Sequence, residues 1–89
     1  MTQKKDSGYE LRFDIEALKQ IEKLPFDIRK RIFKKLQTTK ASPHAFFDKL
    51  TKRPEYKLRV GKYRVIADID DAAILILIVH VGHRRNIYS

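Results

Sequence analysis

The chain has no cysteine, so it has neither a disulfide framework nor a thiolate metal site. It also lacks a Gly-rich phosphate loop, a zinc-type ligand spacing and an internal repeat, which leaves no basis for a P-loop NTPase, a zinc module or a solenoid. Its start resembles no secretion signal, because residues 1–10 are polar and charged without an apolar run. The longest apolar run, residues 72–79, falls far short of the ~20 residues a membrane-spanning helix needs. Acid is scarce: 11 Asp and Glu stand against 20 Lys and Arg, a net charge of +9. These absences predict a soluble, cytoplasmic protein with no metal and no cofactor. The excess of cations predicts a polyanionic partner: nucleic acid, an acidic protein or a membrane surface.

With 89 residues and 43% hydrophobic content, the chain is expected to fold as a single domain, 1–89. A chain of this size buries about 60–65% of its unfolded surface, so its core is modest. Residues 1–7 read as a mobile leader. Tyr9, Leu11 and Phe13 alternate with Glu10 and Arg12, which predicts a half-buried strand. Asp14 suits an N-cap. Ile15, Leu18, Ile21 and Leu24 then recur at near-helical spacing and predict a first helix. Pro25 ends that helix and opens a second over 26–38. Ile28, Ile32, Phe33 and Leu36 form the apolar stripe of the second helix. Its cations, Arg29, Lys30, Arg31, Lys34 and Lys35, read as a solvated face, because Lys and Arg are good helix formers. The short connection makes the two helices an αα-hairpin. Residues 39–55 are irregular, with a turn at Ser42-Pro43 and Phe46, Phe47 and Leu50 plugging the edge of the core.

Residues 56–64 hold four cations and no acid, while 65–81 hold no Lys or Arg. Charge clustered in this way favours a binding face over general solvation. The stretch reads as two strands joined by a Gly61-Lys62 turn, since Gly at the first turn position supplies the positive φ of a II′ hairpin. Counting outward from the turn, Val60 faces Tyr63, Arg59 faces Arg64, Leu58 faces Val65 and Lys57 faces Ile66. Opposed residues share a face and successive residues alternate. Lys57, Arg59 and Arg64 therefore point to one side, and Tyr56, Leu58, Val60, Tyr63 and Val65 to the other. Like charges directly opposed destabilise a hairpin, so a negative ligand is expected there. Asp70-Asp71 turns the chain into an apolar strand over 74–81, expected to be central. The predicted fold is α+β, in the order β-α-α-β-β-β: a small antiparallel sheet with the αα-hairpin packed on one face. Gly82 then bends the chain into the basic tail His83-Arg84-Arg85, closed by Ile87 and Tyr88.

The ordered set Tyr63-Arg64-Val65-Ile66, Gly82-His83-Arg84-Arg85 and Tyr88 resembles the RelE/ParE superfamily of toxin–antitoxin toxins, in its RelE-like branch. The resemblance implies a compact toxin of the microbial-ribonuclease type. Such a toxin enters the ribosomal A site and cuts mRNA there. A cognate antitoxin wraps its basic surface, and the pair reaches operator DNA only as a complex. The family pattern places catalytic residues at Lys57, Arg59, Arg64, Arg84 and Tyr88. Lys62, His83 and Arg85 are expected to contact substrate. The second hairpin position, often Lys in the family, is Arg59 here, and an Arg cannot readily act as a base.

Metal-free RNA cleavage requires a base for the 2′-OH, cations on the phosphoryl oxygens and an acid for the 5′-oxygen. Arg59 and Arg64 suit the phosphate, Arg84 the developing charge, and Tyr88 a stacked base. Neighbouring cations disfavour protonated Lys57, which suits it to the base role; His83 is the competing acid–base group. Two other readings keep the same residues: a ParE-like toxin that inhibits DNA gyrase by protein contact, and a basic nucleic-acid-binding module without catalysis. An inactive family member kept as an antitoxin partner is a third.

Overall fold

The computed structural model describes residues 8–83. The leader 1–7 and the tail residues Arg84, Arg85 and Tyr88 lie outside that span. Along the chain come β1 (Glu10–Phe13), α1 (Ile15–Glu22), α2 (Phe26–Thr39), a 3-10 turn at Pro43–Ala45, β2 (Asp48–Lys49), β3 (Tyr56–Val60), β4 (Tyr63–Asp70) and β5 (Leu75–His83). The five strands form one sheet in the order β1-β5-β4-β3-β2. The apolar strand is central, as its composition predicts.

Two features of the sheet differ from expectation. β2 through β5 are antiparallel, but β1 joins β5 in parallel, from Glu10 opposite Leu75 to Phe13 opposite Ile78. The sheet is therefore mixed. A parallel pair needs a long crossover, and the helices with the intervening strands supply it. β2 is an added strand, where irregular chain was expected.

Asp14 is extended (ψ 151°) and marks the start of α1, although its side chain makes no capping bond. The buried face of α1 is Ala17 and Ile21, whereas Ile15 and Leu18 are 68% and 41% exposed. The expected stripe holds at Ile21 and Leu24 and fails at Ile15 and Leu18 for a geometric reason. Steps of three residues in a 3.6-residue helix slip by about 60° each, so Ile15 and Leu18 rotate away from buried Ile21, while Leu24, past the end of α1, packs against the core. On α2, Ile32 and Leu36 are buried as expected, while Phe33 stays partly exposed and meets Phe13 edge to face at 5.6 Å.

The core forms between the helices and one face of the sheet. It joins Ala17, Ile21, Ile32, Leu36 and Phe47 to Leu58, Val60, Val65, Ala67, Ile76, Ile78 and Val81. Phe47 and Leu50 are buried, but Phe46 is exposed. β1 is tied to the end of α2 by the Tyr9 N–H, which donates to the Lys40 carbonyl at 2.8 Å. Gly8 permits this approach, since a Cβ there would lie 2.8 Å from the same oxygen. Among the described residues, no helix is long and apolar enough to cross a membrane.

Candidate active site

The hairpin forms with the register its turn dictates. Val60 faces Tyr63, Arg59 faces Arg64, Leu58 faces Val65 and Lys57 faces Ile66. Gly61 has φ of 60°, and Lys62 is not among the positive-φ residues, which is the II′ pattern. Leu58, Val60 and Val65 enter the core, so Lys57, Arg59 and Arg64 stand on the opposite face. Lys62 lies exposed in the turn, outside the row.

Neighbouring strands extend this face into two rows. In the first, Arg59, Arg64 and Gly82 are successive partners across β3, β4 and β5. Gly82 carries no side chain, so the row ends in bare backbone beside Arg64. In the second, Asp48, Lys57, Ile66 and His80 are successive partners across β2 to β5. Ile66 is fully buried on this side of the sheet, away from the main core cluster.

A bulge in β5 decides which histidine joins. Ile66 pairs with His80 but Ala67 pairs with Ile78, so Val79 is the extra residue. An inserted residue reverses the alternation beyond it. Ile76, Ile78 and Val81 thus all face the helices, and His80 and Gly82 turn to the cation face. His83 pairs with Tyr63 on the helix side, with the two rings edge to face at 5.6 Å. The structure therefore separates His83 from Lys57, Arg59 and Arg64. Sequence reasoning missed His80, and one signal was available. Uninterrupted alternation from Ile76 and Ile78 would bury a histidine at 80, a conflict that a bulge removes.

Asp48, Lys57, Arg59 and Arg64 line a cleft of about 340 Å³. Asp48 is the second residue that sequence reasoning missed. It enters through the two-residue strand β2, which pairs Asp48 with Lys57 and Lys49 with Tyr56. Beyond the hairpin tip a second basic cleft, of about 380 Å³, lies between Arg31, Lys34 and Lys35 of α2 and Arg59 to Gly61. Arg29 and Lys30 lie over the Phe26 ring, and Lys35 of this cleft also lies over Phe46.

The far end of the open face is acidic. Asp68 pairs with Leu77, and Asp70 with Leu75. Partial burial, with nearby Glu55 adding to it, raises the Asp68 carboxyl above its ordinary value. On another edge, Asp71 accepts from Tyr9 Oη and bonds His44 Nε2, both at 2.8 Å. The His44 bond, then the Tyr9 bond, hold the Asp71 carboxyl below its ordinary value. Among the described residues, no cluster of three His, Asp or Glu is placed to hold a metal ion.

Comparison with known proteins agrees with this geometry. Residues 11–88 match the family model described as ParE toxin of type II toxin–antitoxin system, parDE. The mRNA interferase toxin RelE of Escherichia coli (strain K12) is 34% identical over 87 residues, covering 92% of each chain. Among solved structures, a RelBE toxin–antitoxin complex from Mycobacterium tuberculosis superposes with a TM-score of 0.81 at 26% identity, covering 89% of this chain and 94% of that one. The intact E. coli RelBE complex gives 0.72 at 35% identity, with 84% and 95% covered. A family match over residues 11–88, joined to a RelE relative 34% identical over 92% of each chain, establishes that this chain belongs to the ParE toxin family of type II toxin–antitoxin systems, on its RelE-like branch.

Proposed function

We propose that this chain is the toxin of a type II toxin–antitoxin system and acts as a ribosome-dependent endoribonuclease. It cuts mRNA in the ribosomal A site by attack of a 2′-OH on the adjacent phosphorus, leaves a 2′,3′-cyclic phosphate and so stops translation. The observation that carries this reading is the convergence of Lys57, Arg59 and Arg64 on one cleft. The relatives named as RelE mRNA interferases support it. Three cations in a cleft suit a phosphoryl group that gains negative charge in the transition state. The two guanidiniums bind its oxygens in pairs, and bare Gly82 beside Arg64 leaves room for the nucleotide. Arg84 and Tyr88 complete the set from the tail, with Arg84 on the developing charge and Tyr88 stacked on a base. Lys62 and Arg85 contact the flanking backbone. The partners are the ribosome with its mRNA, and a cognate antitoxin like those in the toxin–antitoxin complexes of E. coli and M. tuberculosis. Operator DNA is reached through the antitoxin. The site of action is the cytoplasm.

A shallow, open cleft leaves the orientation of the RNA to the ribosome. Purified protein is expected to cleave mRNA on stalled ribosomes, with cuts mapped by primer extension, and to leave naked RNA almost intact. Equal cleavage of both would overturn the ribosome dependence. Arg64→Ala should remove both cleavage and toxicity. Toxicity that survives this change, together with inhibited supercoiling by gyrase, would favour the ParE-like reading. Salt-sensitive RNA binding without cyclic-phosphate ends would mark a binding module. His83 pairs with Tyr63 on the helix side, so of the two base candidates read from the sequence only Lys57 stands in the cleft.

A further inference from the structure

We infer that Asp48, rather than Lys57, takes the proton from the attacking 2′-OH; the inference rests on the ribonuclease reading above. Among the described residues, Asp48 is the one carboxylate that lines the cleft with Lys57, Arg59 and Arg64. Direct pairing with Lys57 sets the two Cα atoms about 5 Å apart, and Arg59 lies one pleat repeat farther along β3. The charged groups that line the cleft with Asp48 are all cations, Lys57, Arg59 and Arg64; Glu55 precedes β3, and Asp68 lies farther along the same face of β4. A phosphate held by the guanidiniums brings its adjoining ribose within a side-chain length of Asp48.

Asp48 is also unengaged, as are Asp14, Glu16, Glu22, Asp27 and Asp68, none of which lines this cleft; the other described carboxylates have partners. Glu10 is bonded to Arg12, Glu55 to Arg53, Asp71 to His44 and Tyr9, and Asp70 to the Ala73 N–H. Asp48 makes no hydrogen bond or ion pair among the described residues, so its lone pairs remain available. Its backbone is fixed, because Phe47 before β2 and Leu50 after it are 3% and 5% exposed. An exposed acceptor between two buried anchors is presented to the cleft at little cost in ordering.

The other groups fit the base role less well. A guanidinium is a donor with no acceptor, and an ammonium likewise. His80 shares the face but does not line the cleft. In the step, Asp48 removes the 2′-OH proton as the 2′-oxygen bonds to phosphorus. The P–O5′ bond breaks, and its electron pair leaves on the 5′-oxygen, which takes a proton from water. Asp48 then returns its proton to solvent. Lys57 acts as a cation on the phosphoryl oxygens.

Single-turnover cleavage of mRNA on programmed ribosomes, between pH 6 and 8.5, tests the assignment. A carboxylate base predicts a wild-type rate that stays level across this range. Asp48→Asn should slow cleavage about 10²–10³-fold. Hydroxide then does the deprotonation, so the residual rate should climb about tenfold per pH unit. Binding to stalled ribosomes should hold or tighten, since an anion has been removed from a cationic cleft. Asp48→Glu should recover part of the rate and the level profile, which a merely structural role would not produce. A wild-type-like rate and profile in Asp48→Asn would overturn the inference, as would a wild-type rate that itself climbs tenfold per unit, the mark of an amine base. A wild-type protein that cuts no mRNA on ribosomes would instead remove the ribonuclease reading.

Discussion

Arg59 and Arg64 oppose each other directly across the hairpin, where like charges are destabilising by about 0.2–1 kcal/mol. Function at this face therefore opposes stability. Arg59→Thr places a β-branched residue in the strand and removes the repulsion. Its melting temperature should rise by about 2–4 °C, while ribosome-dependent cleavage falls. Circular dichroism melts and the cleavage assay read the two effects separately. Asp71 belongs to stability alone. Because bonds from His44 and Tyr9 lower its folded value, its contribution is complete above the ordinary carboxylate value, about pH 4. That contribution is lost as pH falls through the lower folded value. Asp71→Asn should lower the melting temperature at pH 6 and converge with wild type near pH 2. Asp68 has the opposite sign, since its raised value favours the folded state in acid and works against it as pH rises. Comparing wild type with Asp71→Asn at each pH cancels that background.

At the scale of elements, the bulge in β5 has a specific support. β1 pairs with β5 only as far as Ile78, so the edge of β5 beyond it lacks a strand partner. Val81 is 2% exposed, and its N–H there donates to Gln20 Oε1 of α1 at 2.6 Å. The side chain of a helix thus completes a ladder that the sheet leaves unfinished. Gln20→Ala leaves a buried donor without a partner, which costs about 1–3 kcal/mol. The melting temperature should drop, and amide exchange should quicken first at Val81 and its neighbours. Gly82 lies next to this point and faces Arg64, so cleavage should fall even at temperatures where the variant stays folded.

Across the whole molecule, the net charge of +9 is less informative than its division over one sheet face. One end carries Lys57, Arg59 and Arg64; the other carries Asp68 and Asp70 beside Leu77 and Leu75. A polyanion bound at the hairpin end meets acid if it continues along the sheet. The second basic cleft, shared by Arg59 and α2, offers the path instead. If Lys57, Arg59 and Arg64 each neutralise one phosphate, the affinity for single-stranded RNA should fall with log salt at a slope of about −2. Removing any one of these cations should flatten the slope by about 0.7. A slope near zero would show that the face does not bind through phosphates.

The sequence by itself determined the hairpin and its charges. A two-residue turn opened by Gly61 fixes the register of both strands locally, so the placement of Lys57, Arg59 and Arg64 on one face follows from counting. The order of helices and strands was legible for the same reason, because Pro25, Asp70-Asp71 and the apolar periods are local signals. Only the tertiary structure decided what completes the site. β2 has two residues, too few for a periodic pattern, and it forms because β3 offers an edge and Phe47 and Leu50 anchor its ends. That pairing brings Asp48 to Lys57. The bulge at Val79 sets Gly82 and His80 on the cation face and sends His83 to the helices. Whether a strand takes up an extra residue depends on its partners on both sides, so the phase of its final residues is a property of the sheet.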